Sequence, residues 1–472
     1  MADLQGKAVV VTARRLEQAS RELPENHEIP RLLASHRERD LSSAQLWLEE
    51  QNSVDIASEL GRLSPELQAV AFRLLNKERA LSVFEYLDPP HQADLLEALR
   101  DESVGELFSN IEADDRAALL DEMPAKVASR LLRDLPPQER KATSTLLGYP
   151  SRSAGRVMLP VATVLSPDAN REEALKKLQT RGEAFATVPV TDNSRKLLGM
   201  VNLAELVAAP SGTSVQDVMQ AESHHVYAHD DQEFAARLVQ EADLLALPVV
   251  DDEDRLLGLL TVDDAMEILE DEETEDAYRS GGQEPLNEPY LTATVFTLAR
   301  KRGVWLIVLI FAAFLTINVM EVFESTLEKV VVLSIFVPMI IGTGGNAGSQ
   351  AASSVVRALA IDEVRPHDVL RVIWREVRVG FLLGLFLGAV IFPIIAVLYY
   401  PQVAATISLA IVCICSWACI VGGMLPLVAK KLGVDPAVFS TPVVSTLVDA
   451  TGLIIYFTIA GAIMADQIAA AG

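Results

Sequence analysis

Charge vanishes from the chain in four long stretches of its C-terminal part, and those stretches predict its membrane-crossing elements. Gly303 to Met320 is one uncharged run and Val330 to Val356 a second. Val379 to Ala429 far exceeds the roughly 20 residues that one crossing needs. It is therefore expected to fold back on itself, most simply at Tyr399-Tyr400-Pro401-Gln402, where aromatic rings suit the interface. The last run, Pro436 to Ala465, is uncharged except for Asp449. Five spanning helices result.

Upstream the pattern changes to shorter periods. Val157-Met158 matches Val218-Met219, Val188-Pro189-Val190 matches Leu247-Pro248-Val249, and Leu198-Gly199-Met200-Val201 matches Leu257-Gly258-Leu259-Leu260. Helix-period stretches, Glu172 to Thr180 and Glu233 to Asp243, lie between these anchors, and acidic turns follow at Asp192-Asn193 and Asp251-Asp252. An α/β unit occurring twice in this way resembles a pair of CBS modules. Earlier still, Leu63-Ser64-Pro65, Leu87-Asp88-Pro89, Ile111-Glu112-Ala113 and Leu135-Pro136-Pro137 return every 24 residues and read as helix starts. That period predicts a stacked helical array whose units cannot bury their apolar faces alone.

Between the modules and the first span runs Met266 to Tyr278, with six carboxylates from Glu270 to Asp276. Like charges one turn apart cost about 0.2–0.5 kcal/mol per pair. Oxygen donors without His or Cys select hard divalent ions, which would cancel that repulsion.

Overall charge sharpens the division. Residues 301–472 carry ten Lys+Arg and ten Asp+Glu, so the whole net charge of −25 lies in residues 1–300. This acidity argues against a nucleic-acid partner, which needs clustered Lys and Arg. Cys413, Cys415 and Cys419 all fall in one apolar span and read as packing residues, not as a disulfide framework or zinc site. The first residues lack a basic, apolar, small-residue leader, so no cleaved signal peptide is expected. Lys301-Arg302, the arginines between the second and third spans, and Lys430-Lys431 all fall on one side, whereas Glu321, Glu324, Glu328 and Lys329, and then Asp466, fall on the other. The positive-inside rule then puts the N-terminal part in the cytoplasm and the C-terminus outside.

Asp449 is the chemically telling residue. A carboxylate at bilayer depth costs about 3 kcal/mol on insertion scales, and no Lys or Arg lies in the uncharged runs to neutralise it. Thr441, Ser445 and Asp449 recur every four residues as a polar stripe. In the second span Pro338 precedes Gly342-Thr343-Gly344-Gly345-Asn346-Ala347-Gly348-Ser349-Gln350. Small residues there admit close backbone approach, Gly344 and Gly345 leave carbonyls reachable, and Asn346 and Gln350 share one helix face. An odd number of spans with one polar pathway is most simply closed by a second copy about a two-fold axis.

Taken together, this order of elements resembles the MgtE family of bacterial magnesium channels, most specifically through Pro338 to Gln350 and through Gly433-Val434-Asp435-Pro436 with Pro442, Thr446 and Asp449. The resemblance implies an extension over residues 1–30 and an all-α array over 31–147. CBS modules follow over 148–210 and 211–268, then an acidic connecting plug helix and linker over 269–300 and a five-helix transmembrane domain over 301–472. It implies a homodimer in the bacterial cytoplasmic membrane, with Asp449 holding hydrated magnesium and Asn346 lining the pore. Gating acids are implied at Asp264, Glu267, Glu272, Glu275 and Asp276, with Asp114 in the array, and a nucleotide such as ATP at the CBS modules. Thr441 replaces an asparagine that family members place there, and Ala118 stands one turn after Asp114 where an acid is expected. Other divalent cations are possible substrates; an enzyme is not expected. The main alternative is a proton-coupled divalent-cation carrier with CBS regulation, which the missing second acid in the uncharged runs disfavours. A non-conducting receptor would leave Asp449 and the glycine stretch unexplained.

Overall fold

The computed structural model describes residue 48 and residues 50–465, apart from 64, 100, 162, 182–185, 222, 287–289, 291–292, 362 and 439–440. The expected extension over residues 1–30 lies outside them. The chain forms two compact units, one of Met1–Glu272 with Asn287–Ala293, the other of Glu273–Leu286 with Thr294–Gly472.

Among the described residues the first unit begins with eight helices: α1 (Ser53–Leu60), α2 (Pro65–Phe72), α3 (Lys77–Glu85), α4 (Pro89–Ala98), α5 (Asp101–Asn110), α6 (Ala113–Glu122), α7 (Ala125–Asp134) and α8 (Pro137–Leu146). Odd-numbered and even-numbered helices each recur every 24 residues, so the sequence period corresponds to one helix pair. Its apolar marks, Leu63, Leu87, Ile111 and Leu135, are all buried. Asn52 and Asn76, one period apart, cap α1 and α3 by accepting the N–H groups of Asp55 and Arg79. Gln68 and Gln92 each donate a side-chain N–H to a carbonyl eight residues back, Leu60 and Phe84, at 2.9 and 2.8 Å. Arg116 takes the same place one period later. Its guanidinium reaches the carbonyls of Ile111 and Ser109, the Thr143 hydroxyl and the Glu139 carboxylate, thereby fastening α6 to α8.

The duplicated modules follow. They comprise β1 (Leu159–Pro160), α9 (Arg171–Arg181), β2 (Thr187–Thr191), β3 (Leu197–Asn202), α10 (Leu203–Ala208), α11 (Val215–Val218), β4 (Val226–Tyr227), α12 (Gln232–Glu241), β5 (Ala246–Val250) and β6 (Leu256–Thr261). Hairpins β2–β3 and β5–β6 keep one register 59 residues apart, Val188 facing Val201 and Leu247 facing Leu260, with bulges after Val190 and Val249. Each module lends its leading segment to the other: β1 pairs with β6, while Gln220 bridges to Met200 of β3. The repeated glycine is explained by that exchange. A Cβ at Gly258 would stand 2.6 Å from the Leu159 carbonyl oxygen, and one at Gly199 would collide with that of Gln220.

Helix α13 (Val262–Ser280) begins directly after β6 and runs without a break through residue 268, where the sequence reading ended the second module. The acidic segment is thus continuous with the last helix of that module.

In the second unit stand α14 (Val295–Val322), α15 (Glu324–Lys329), α16 (Val332–Ala360), α17 (Val369–Leu398), α18 (Pro401–Lys431) and α19 (Thr441–Ile463). Five helices among the described residues are long and apolar enough to cross a membrane, and the expected fold-back falls at Tyr399-Tyr400. Helix α18 is central, with Ile407, Ala410, Ile414 and Cys415 fully buried. Gly384 on α17 admits α18 so closely that a Cβ there would lie 2.6 Å from the Val412 Cα, and Gly380 and Gly388 continue that seam. Cys415 and Cys419 are buried, Cys413 is half-buried, and all three are free, in keeping with a packing role.

One expectation is corrected here. Helix α17 starts ten residues before the uncharged run, so its first turns contain Arg371, Arg375, Glu376 and Arg378. Glu376 turns inward against Gly423, and a carboxylate besides Asp449 therefore stands inside a candidate span.

Candidate functional site

The polar residues of the second unit gather where α16 crosses α19. Glycines make this crossing possible: a Cβ on Gly345 would collide with the Ser445 hydroxyl and stand 3.5 Å from Asp449 Oδ1, while one on Gly348 would reach Val444 and Val448. Asp449 Oδ1 is buried there without a hydrogen-bond partner. A buried, unpaired carboxylate oxygen costs at least 1–3 kcal/mol, so it is expected to serve a cation. Gly344 turns its Cα into the packing against Ile414 and Val448, leaving only its backbone to offer a pathway. Asn346 and Gln350 share one exposed face, as expected, and line a groove with Ser349, Ser353 and Ser354. Thr441 is the first residue of α19; its side chain lies outside the described residues.

In the first unit, acids collect between α6 and the start of α13. Asp114 is 8% exposed and its Oδ1 has no partner; burial and the charges of Asp264, Asp115 and Glu112 hold its carboxyl well above the usual range. Burial, with Asp263 and Asp115 adding repulsion, raises Asp264 to about 6 even though the Thr261 hydroxyl donates to it. Glu267 and Glu112 keep exposed surface, yet desolvation and their acidic neighbours push both up to about 7. Glu112, Asp115 and Asp263 were missed in the sequence reading. Their signal was adjacency, since Glu112-Ala113-Asp114-Asp115 and Asp263-Asp264 are paired acids at helix starts.

The remaining expected acids have protein partners. Glu272 pairs with Arg152 and accepts from Gln232 Nε2 at 3.0 Å, and Glu275 pairs with Arg279, which also pairs with Asp435. Glu273 and Asp276, with Arg357 of α16, line a cleft of 440 Å³ beside Ala352, Ser353 and Val356. Among the described residues no three His, Cys, Asp or Glu side chains stand at metal-ligand spacing. The donors are nonetheless all oxygens, crowded enough to repel one another, which suits a hard cation with its own waters.

A helical array, paired CBS modules, and five apolar helices with an unpartnered carboxylate oxygen at a glycine crossing define a membrane transporter of divalent cations. Family models agree along the chain: "MgtE intracellular N domain" matches residues 51–152, "CBS domain" 154–212 and 215–271, and "Divalent cation transporter" 337–459. The magnesium transporter MgtE of Thermus thermophilus is 35% identical over 434 residues, covering 90% of this chain and 96% of that protein. That of Bacillus subtilis is 29% identical over 419 residues, covering 86% of each. A crystal structure of the cytosolic domain of the Mg2+ channel MgtE in complex with ATP aligns at 30% identity, with a TM-score of 0.47, over 51% of this chain and 98% of that one. The chain belongs to the MgtE family of magnesium transporters.

Proposed function

We propose that this protein is a magnesium-selective channel for uptake across the bacterial cytoplasmic membrane, with its soluble part in the cytoplasm and closure driven by cytosolic magnesium. The observation that carries this reading is the unpartnered Asp449 oxygen at the Gly345 crossing. Magnesium dehydrates reluctantly and prefers octahedral oxygen coordination at about 2.1 Å. A carboxylate at a glycine crossing holds such an ion through its waters, weakly enough for release. The exposed Asn346 and Gln350 face is too polar for lipid, which favours a homodimer with that face on the two-fold axis. The acids around Asp114, with Asp264 and Glu267 of α13, supply the sensor. Bound magnesium stabilises the arrangement in which they lie close, and only that differential affinity can shift the gate. Nucleotide binding at the CBS pair follows from the family resemblance alone.

A second reading, a proton-coupled carrier, is favoured by Glu376, a further carboxylate within a candidate span that turns inward against Gly423. Single-channel recording of purified protein in bilayers, as magnesium rises on the cytoplasmic face, separates the two. Unitary openings that close with magnesium and vanish in Asp449→Ala support the channel; slow flux without unitary openings replaces it with the carrier.

A further inference from the structure

The last turn of α13 and the loop ahead of α19 meet through one side chain. Arg279 pairs with Glu275, one turn back on its own helix, and with Asp435 in the Gly433-Val434-Asp435-Pro436 motif. All three are half-buried, with side-chain exposures of 28%, 20% and 29%. Asp435 is oriented independently of Arg279, because its Oδ1 accepts the Ala437 N–H at 2.8 Å in the short turn Pro436–Val438. Just beyond Arg279 the chain turns at Gly282, whose φ of +68° suits glycine, and closes onto α19: a Cβ there would lie 2.9 Å from Pro442 Cγ. Pro442 stands in the first turn of α19, two turns before Asp449. The end of the acidic helix is thereby held at two adjacent points against the base of the helix that carries the candidate pore carboxylate.

We propose that Arg279 is a positioning residue of the gate, whose ion pair with Asp435 couples displacement of α13 to α19 without a metal ion at that joint. A guanidinium is always charged and offers a planar fork of donors, so this joint persists when magnesium is scarce, whereas a bridge made by an ion would dissolve. Metal occupancy elsewhere on α13 then moves a helix already fastened to the pore. Glu275 holds the guanidinium in its direction and is consumed in that role. This inference rests on the gated-channel reading and specifies how its gate is coupled.

The test is flux into proteoliposomes at controlled magnesium on the cytoplasmic face, for wild type, Arg279→Gln, Arg279→Lys, Asp435→Asn and the exchange of Arg279→Asp with Asp435→Arg. Arg279→Gln and Asp435→Asn are expected to raise the inhibitory magnesium concentration about tenfold, Arg279→Lys less, and the exchange to return it close to wild type. If a metal ion bridges Glu275 and Asp435 instead, Arg279→Gln leaves inhibition unchanged or strengthens it, and the exchange fails to recover. Either result overturns the proposal. An exchange variant that does not fold leaves the decision to Arg279→Gln against Arg279→Lys, where equal inhibition in both overturns it. Asp449→Ala run alongside separates this from the parent reading: wild-type flux that survives that substitution refutes the channel, whereas flux that needs Asp449 but ignores Arg279 refutes only the coupling.

Discussion

Gly345 and Asp449 face each other across the crossing of α16 and α19 with no side chain on the glycine to separate them. Adding one methyl group there drives it into the Ser445 hydroxyl, and overpacking of this kind costs about 1–3 kcal/mol. Gly345→Ala should therefore both lower the melting temperature in detergent and abolish magnesium uptake. Asp449→Asn should abolish uptake while leaving the melting temperature unchanged or raised, since it removes a buried charge. Uptake retained by a folded Asp449→Asn protein removes Asp449 from the pathway.

The acids around Asp114 make stability depend on pH in a definite direction. Glu112 and Glu267, at about 7, and Asp264, at about 6, all hold protons more tightly in the folded chain than in the unfolded one. Their stabilising linkage is complete below the ordinary carboxylate range of about 4 and is lost as pH rises through about 6 to 7. In chelator, the full-length protein should melt at lower temperature as pH is raised from about 6 to about 8, and magnesium added at the upper end should restore the loss. A melting temperature flat across that window, with or without magnesium, refutes the coupling.

What the sequence made legible was whatever depends on period or on the absence of charge. The 24-residue marks at Leu63, Leu87, Ile111 and Leu135 located the helix pairs because each pair must bury the same apolar position. The module duplication survived in detail because Gly199 and Gly258 each admit a crossing strand. Glu376 was not legible, since an acid three residues before an uncharged run looks like a loop charge until the helix is seen to begin at Val369. Nor was the partner of Glu272: Arg152 lies 120 residues away, and no local pattern announces that pair. Arg279 was hidden in a run read only for its acids.

Arg116 tests the repeat itself. It occupies the position of Gln68 two periods later and of Gln92 one period later, is as fully buried as they are, and serves four acceptors. Removing one member of a buried charged network costs about 3–5 kcal/mol. Glu139 is partly exposed, so the cost here belongs at or below the low end of that range. Arg116→Ala should destabilise the array clearly in thermal melts and expose α8 to proteolysis. Arg116→Gln, which can still reach a carbonyl as its repeat counterparts do, should lose noticeably less. Equal loss in both would mean that the charge, not the repeat hydrogen bond, is what the site requires.

The sharpest division lies among the acids themselves. Asp114 and Asp264 have crowded, desolvated carboxylates that burial and neighbouring acids destabilise in their charged form, with the Thr261 hydroxyl relieving Asp264 only in part. Glu272 already has Arg152 and Gln232. If magnesium closes the gate by relieving repulsion, neutralising a crowded acid both weakens the ion's hold and removes the repulsion that opens the gate. The first effect should dominate, because the ion loses a ligand outright, whereas Asp115, Glu112 and Asp263 still repel one another after a single neutralisation. Asp114→Asn and Asp264→Asn are thus each expected to raise the magnesium concentration that halves open probability by about tenfold. Glu272→Gln should shift it by less than about threefold while lowering the melting temperature through loss of the Arg152 pair. Open-probability curves for the three variants, measured against cytoplasmic magnesium, decide it: a larger shift for Glu272→Gln than for Asp264→Asn would move the sensing ion from the Asp114 cluster to the acidic run of α13.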